Sequence, residues 1–157
     1  MTRNRFEHIT CSLARALDQA GDWWTFLIIR DALRGIDSFE DFCGSLGIAR
    51  NILTVRLNHL CANGLMSRSR DTRDGRRVTY DLTEKGRALA PALVALMQWG
   101  DAWVSGAGNE PIVLKDPATG QVIAPVRLRT IDQADVPNTL EFTPGPGADV
   151  AWGRGAG

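Results

Sequence analysis

One stretch constrains this chain more than any other: Ile48 to Gly64, IARNILTVRLNHLCANG, where apolar residues recur at helical spacing. At about 100° per residue, Ala49, Leu53, Leu57 and Leu60 fall in one narrow stripe, which predicts an amphipathic helix with that stripe buried. The opposite side carries Asn51, Thr54, Val55 and Asn58, with His59 at the margin. These side chains suit a DNA groove: Asn bonds adenine bidentately, Thr bonds several base edges, and Val or the Thr methyl touches a thymine methyl. The helix alone favours a merely solvated face, since most amphipathic helices bind nothing on their polar side.

The next segment shifts the balance. Gly64 is a left-handed helix stop. Leu65-Met66-Ser67-Arg68-Ser69-Arg70, the turn-like Asp71-Thr72-Arg73-Asp74-Gly75 and Arg76-Arg77-Val78-Thr79-Tyr80-Asp81-Leu82 then alternate about an Asp-Gly signal, which predicts a β-hairpin. Leu65, Val78, Tyr80 and Leu82 would pack inward, and Arg68, Arg70, Arg73, Arg76 and Arg77 would line the polar face and tip. The whole chain balances 18 Lys and Arg against 18 Asp and Glu, yet residues 50 to 87 hold nine basic and four acidic side chains, Arg50 and Arg56 among the former. A local positive patch beside a candidate reading helix is the electrostatic footprint of phosphate contact. Charged hairpin tips also serve solubility, so Arg73 carries little weight alone.

At 157 residues and 44% hydrophobic content, the chain can build one principal core with an appendage. Three unpaired-spacing cysteines, Cys11, Cys43 and Cys61, fit a reducing cytoplasm better than a disulfide scaffold. No apolar run approaches a membrane span and no secretory signal opens the chain, so a soluble cytoplasmic protein is expected. Ser12 to Gln19 reads as a short helix with Leu13, Ala16 and Leu17 on its apolar side. Asp22 caps a strongly apolar helix from Trp23 to Leu33, ended by Gly35. Ser38-Phe39-Glu40-Asp41 caps a short helix stopped near Gly44 to Gly47. The expected fold is mainly α with a β wing (α+β), a winged helix-turn-helix with a small C-terminal β appendage.

A longer helix is expected from Thr83 to about Ser105, kinked or started late by Pro91. Leu89, Leu93, Leu96, Gly100 and Trp103 form a seam at spacings of four, three, four and three. The seam packs on its own domain or joins two chains. Dimerisation is favoured, because one small module has limited affinity and a dimer reads two half-sites about 34 Å apart.

Several separated motifs then carry a resemblance. Cys11-Ser12-Leu13-Ala14-Arg15-Ala16-Leu17-Asp18, Gly21-Asp22-Trp23-Trp24-Thr25 with Ile28-Ile29-Arg30-Asp31, Asn51-Ile52-Leu53-Thr54-Val55-Arg56-Leu57, Gly64-Leu65 and Val78-Thr79-Tyr80-Asp81-Leu82-Thr83-Glu84-Lys85-Gly86 resemble the HxlR-type branch of the MarR-like bacterial transcription regulators. The resemblance spans about residues 9 to 104. It implies a winged-helix homodimer, paired through its first and last helices (Leu13, Leu17, Leu89, Leu93, Leu96, Trp103), that binds a pseudo-palindromic double-stranded operator and usually represses. Trp23 and Ser38 stand where the family commonly has basic residues, which removes phosphate contacts, whereas Arg50-Asn51 at the helix opening adds one. Arg56 matches a family arginine, with DNA contact and an internal salt bridge both open.

Some family members sense oxidants or electrophiles through a cysteine at the position of Cys11, just before a helix, where the dipole stabilises a thiolate. A redox sensor and a small residue packed at the dimer interface both remain open. Cys43 and Cys61 read as structural, and no metal or cofactor site is indicated. A small-molecule effector pocket between dimer helices, lined by Trp23, Trp24, Trp99 and Trp103, competes with plain core packing. Ile112-Val113-Leu114, Val122-Ile123 and Val126-Arg127-Leu128-Arg129 are strand-like, with a turn at Asp116-Pro117-Ala118-Thr119-Gly120. The expected organisation is a winged-helix and dimerisation domain over 1–108, a β-rich extension over 109–143 and a flexible Gly/Pro-rich tail over 144–157. No catalytic set is evident around His8 or His59, so an enzyme is not expected. The rival function is a winged-helix module that binds protein rather than DNA. Steep salt dependence would separate the two.

Overall fold

The computed structural model describes Phe6, Ile9 and residues 11–70, 77–137 and 139–148. They fall into two compact units, one of the residues up to Ala88 together with 143–148 and the other from Leu89 to Phe142.

In the first unit, α1 (Ser12–Ala20) leads to α2 (Trp23–Leu33), whose N-terminus is capped by Asp22 accepting the Trp24 N–H at 3.0 Å. α2 is apolar on nearly every side and is the central helix. Thr25, Ile28, Ile29 and Asp31 are buried, and the helix packs on α3 (Phe39–Leu46), α4 (Arg50–Ala62) and the wing. The buried Asp31 carboxylate lies in the last turn, where the dipole disfavours it. Arg30 at 2.9 Å and Arg34 at 3.3 Å offset that charge. Ser38 caps α3, accepting the Asp41 N–H at 3.1 Å with Glu40 and Asp41 in the first turn. Gly44 stays inside the helix, and the stop falls at the left-handed Gly47. Phe42 of α3 meets the fully buried face of α2 and α4, to which Leu53, Leu57 and Leu60 contribute. Ala49, expected in that stripe, is the exposed N-cap of α4 instead, because the helix begins one residue later than the periodicity suggests.

Gly64 adopts φ +66°, and Leu65 donates back to the Leu60 carbonyl at 2.9 Å, closing α4. β1 (Met66–Arg70) and β2 (Val78–Leu82) pair antiparallel with Arg68 opposite Tyr80. Leu65, Met66, Tyr80 and Leu82 are buried and Val78 is half-buried. The turn between the strands, with Arg73 and Arg76, lies outside the described residues. The segment before α3 adds a third, single-bridge strand to the far edge of β2: Ser38 bridges Thr79, and the Tyr80 N–H donates to the Asp37 carbonyl at 2.8 Å. Thr83 caps α5 (Glu84–Arg87), and its hydroxyl donates to the Gly64 carbonyl at 2.7 Å. Here a glycine is obligatory, since a Cβ on Gly86 would lie 2.1 Å from the Leu65 carbonyl oxygen.

In the second unit the expected continuous helix is interrupted. α5 ends at Arg87, and α6 (Ala90–Gly100) starts afresh with Pro91 in its first turn, where a missing N–H costs nothing. A π-helical turn, Asp101–Ser105, ends it. This unit thus takes α6 together with the extension, whereas the expected boundary at 108 separated them. The extension holds the expected turn, with Gly120 donating to the Asp116 carbonyl at 2.8 Å. The expected strands, however, are reduced to isolated bridges, Lys115 with Val122 and Arg129 with Asp135. Pro111, Pro117, Pro125 and Pro137 punctuate the segment and deny it successive ladder donors. Gln98 of α6 ties the extension down, donating to the Ala124 carbonyl at 3.1 Å and accepting the Val126 N–H at 2.7 Å. No helix among the described residues is long and apolar enough to cross a membrane.

Candidate nucleic-acid interface

With Leu53, Leu57 and Leu60 committed to the core, α4 leaves Asn51, Thr54, Val55 and Asn58 exposed in a continuous row. Val55 is 59% exposed, an apolar side chain offered to solvent beside two amides. The Thr54 hydroxyl donates to the Arg50 carbonyl at 2.8 Å, which fixes its rotamer while the residue stays exposed. Ile52 is also partly exposed on this side.

Two candidate contact residues, His59 at the margin of the reading face and Arg56 on its flank, turn inward. The His59 ring nitrogen Nε2 lies 3.0 Å from the Gln19 carbonyl, and Asn63 packs against the same ring, so His59 ties the end of α1 to the end of α4. Arg56 is half-buried and paired with Asp22 at 2.7 Å, the salt bridge that the sequence left open against DNA contact. Asp22 therefore serves twice, capping α2 and anchoring α4. Arg50 is exposed and forks onto Glu40 of α3, Nη2 to Oε1 at 2.7 Å, while its guanidinium lies 4.9 Å over the Phe39 ring. The hydrogen bond from Arg50 holds the Glu40 carboxyl below its ordinary range and raises Arg50 correspondingly.

On the wing, Arg68 and Arg70 are exposed and take no carboxylate partner among the described residues. Arg68 lies 6.0 Å from the Tyr80 ring centroid. Arg77, at the base of β2, pairs with Asp37 at 2.8 Å and is half exposed. A helix with a polar outer row, preceded by a helix across a short turn and followed by an arginine-bearing hairpin, has the geometry that places one helix in a major groove and a wing against the adjoining backbone.

Residues 20–107 match the HxlR-like helix-turn-helix family. The chain belongs to that family. A relative in Mycobacterium tuberculosis, the uncharacterized HTH-type transcriptional regulator Rv3095, is 38% identical over 136 residues, which covers 87% of this chain and 85% of the relative. YvaP of Bacillus subtilis, another HTH-type transcriptional regulator, is 31% identical over 57% of this chain and 84% of its own. Among solved structures, that of PA1607, a candidate transcription factor, superposes with a TM-score of 0.77 at 38% identity and covers 82% of this chain and 90% of that one. The redox regulator HypR in its oxidised form superposes at 0.53 and 29% identity, over 57% of this chain and 94% of its own. This HxlR-family protein is thus a winged helix-turn-helix transcriptional regulator whose partner is DNA.

Of the expected dimerisation residues, Leu13, Leu96 and Trp103 are exposed, Leu17 and Leu89 are half-buried, and Leu93 is buried. Cys11 is exposed and occupies the N-cap of α1 without a side-chain capping bond. Cys43 and Cys61 are half-buried, and burial pushes the Cys61 thiol up, as in an inert packed cysteine. Sequence reasoning missed Glu40, Asp37 and Gln19, the partners of Arg50, Arg77 and His59. No periodicity signals them, because each pair joins two different segments and periodicity reports on only one.

Proposed function

We propose that this regulator binds a pseudo-palindromic operator as a homodimer and represses, with Asn51, Thr54, Val55 and Asn58 of α4 reading base edges and Arg50, Arg68, Arg70, Arg73, Arg76 and Arg77 meeting phosphates. The exposed row on α4 carries this reading, since the helix holds two amides and two methyl-bearing side chains outward at groove-reading spacing. Exposed apolar side chains on α1 and α6, Leu13 and Leu96 with Trp99 and Trp103 beyond, support pairing through those helices. His59 and Arg56 are left out of the contact set, their partners being within the chain.

Control by oxidation rests on the exposed Cys11 and on the likeness to the redox regulator HypR. A small-molecule effector would find a cavity of about 220 Å³ in the second unit, walled by Met97, Ile112, Leu114 and Ile123 with Asp101 and Glu110. The four candidate tryptophans do not line it.

Gel-shift titration against DNA upstream of the protein's own and neighbouring genes, at two salt concentrations and with competitor, tests the core of this reading. Tight, competitor-resistant and salt-sensitive binding is expected. Absence of binding by a folded dimer in both redox states would instead support the protein-binding alternative.

A further inference from the structure

Glu40 opens α3 and Arg50 opens α4, one on each side of the turn that joins the two helices. Their side chains meet fork to fork, Nη1 to Oε2 at 2.5 Å and Nη2 to Oε1 at 2.7 Å, with the guanidinium stacked on Phe39. This is the geometry in which arginine also grips a phosphate. The pair is held at the surface, with Arg50 65% and Glu40 70% exposed, so no packing locks it. It stands at the N-terminal end of α4, the end that contacts base edges when such a helix enters the major groove. Asp37 repeats the arrangement at the base of the wing, 2.8 Å from Arg77.

We propose that Glu40 acts as an internal stand-in for a DNA phosphate, occupying Arg50 in the free protein and lowering affinity for every duplex by the same factor. Arg50 can turn this fork onto the DNA backbone only by giving up the carboxylate it already holds, so that contact is an exchange between anions rather than a gain from water. Exposed ion pairs are weak, and the exchange remains accessible to DNA. Because backbone contact carries no sequence information, Glu40 sets how tightly the protein holds DNA at large and leaves the discrimination made by Asn51, Thr54, Val55 and Asn58 untouched. The inference rests on the DNA-binding reading above.

A double-mutant cycle tests it: full-length parent, Glu40→Gln, Arg50→Ala and the double variant, titrated by fluorescence anisotropy on an operator duplex and on an unrelated duplex at low and high salt. Thermal melts confirm that each is folded. Glu40→Gln should tighten binding to both duplexes by about two- to fivefold at low salt, the range an exposed ion pair supports, leaving the specificity ratio unchanged. Arg50→Ala, which loses the phosphate contact, should bind both duplexes more weakly than Glu40→Gln and no more tightly than the parent, and the double variant should match Arg50→Ala. Weaker binding by Glu40→Gln would overturn the proposal and make Glu40 a buttress that aims Arg50 at DNA. Tightening that persists in the double variant, or no tightening at all, would also overturn it. If the parent and all three variants ignore every duplex, the DNA-binding reading itself falls, and this inference with it.

Discussion

At the scale of single residues, the outer face of α4 divides between side chains aimed at solvent and side chains claimed by the protein itself. Asn51 and Arg56 sit five residues apart, yet Asn51 is exposed and Arg56 is held by Asp22. Asn51→Ala should cost about 1 to 3 kcal/mol of operator binding and relax preference at one base position, readable by titrating single-base operator variants. Arg56→Ala should do the converse, lowering the melting temperature while preserving base preference, because it strands the Asp22 carboxylate. Unchanged base preference in Asn51→Ala would remove this face from recognition. Gly86 poses a purely steric test. A methyl there meets the Leu65 carbonyl oxygen at 2.1 Å, so Gly86→Ala should destabilise by about 1 to 3 kcal/mol in chemical denaturation. An unaffected midpoint would mean that α5 can shift away from Leu65 without penalty. The exposure of Asn51, Thr54, Val55 and Asn58 was legible from helical phase. The loss of His59 and Arg56 to Gln19 and Asp22 was not, since phase gives a direction around one helix and says nothing of what another helix brings to meet it.

Elements add capping and register to this. Ser38 both caps α3 and bridges Thr79 of β2, so one residue fixes the helix that leads into α4 and the edge of the wing. Ser38→Ala should cost about 1 kcal/mol of stability, measured by denaturant unfolding, and an effect below a few tenths would show that the cap is dispensable. The wing arginines make a different prediction. Replacing Arg68 and Arg70 together with Ala should weaken binding alike on all sequences and flatten the salt dependence by about two units of slope, provided both meet phosphates. A slope equal to the parent's would take the wing off the DNA. Cap signals at Asp22, Ser38 and Thr83 and the stop at Gly64 marked these elements in the sequence, because each satisfies a backbone group within a few residues. Pro91 likewise announced the break before α6. The extension forms isolated bridges where strands are expected, because alternation reports what a segment does beside a full-length partner and here none is provided among the described residues.

For the whole molecule, the apolar side chains left in solvent at Leu13, Leu96, Trp99 and Trp103 are large for surfaces that stay wet. Under the dimer proposal, Leu13→Asp and Leu96→Asp should each shift the protein toward monomer in sedimentation velocity and weaken operator binding with it. A monomeric parent would end that proposal. Should Cys11 control the dimer, peroxide should release DNA from the parent and leave Cys11→Ser bound; equal release from both would exclude it.

The sequence by itself determined the winged helix-turn-helix, its order of helices and hairpin and the face of α4 that stays out of the core. Those properties follow from periodicity, caps and turns, which act over a few residues. Only the tertiary structure decided which arginines are already spoken for. Glu40 lies ten residues from Arg50, Asp22 lies 34 from Arg56 and Asp37 lies 40 from Arg77, and such pairs exist only once folding carries the partners together. A count of basic residues along the chain therefore overstates the positive charge that this surface offers to DNA, because Coulombic attraction depends on distance in space and not on separation in sequence.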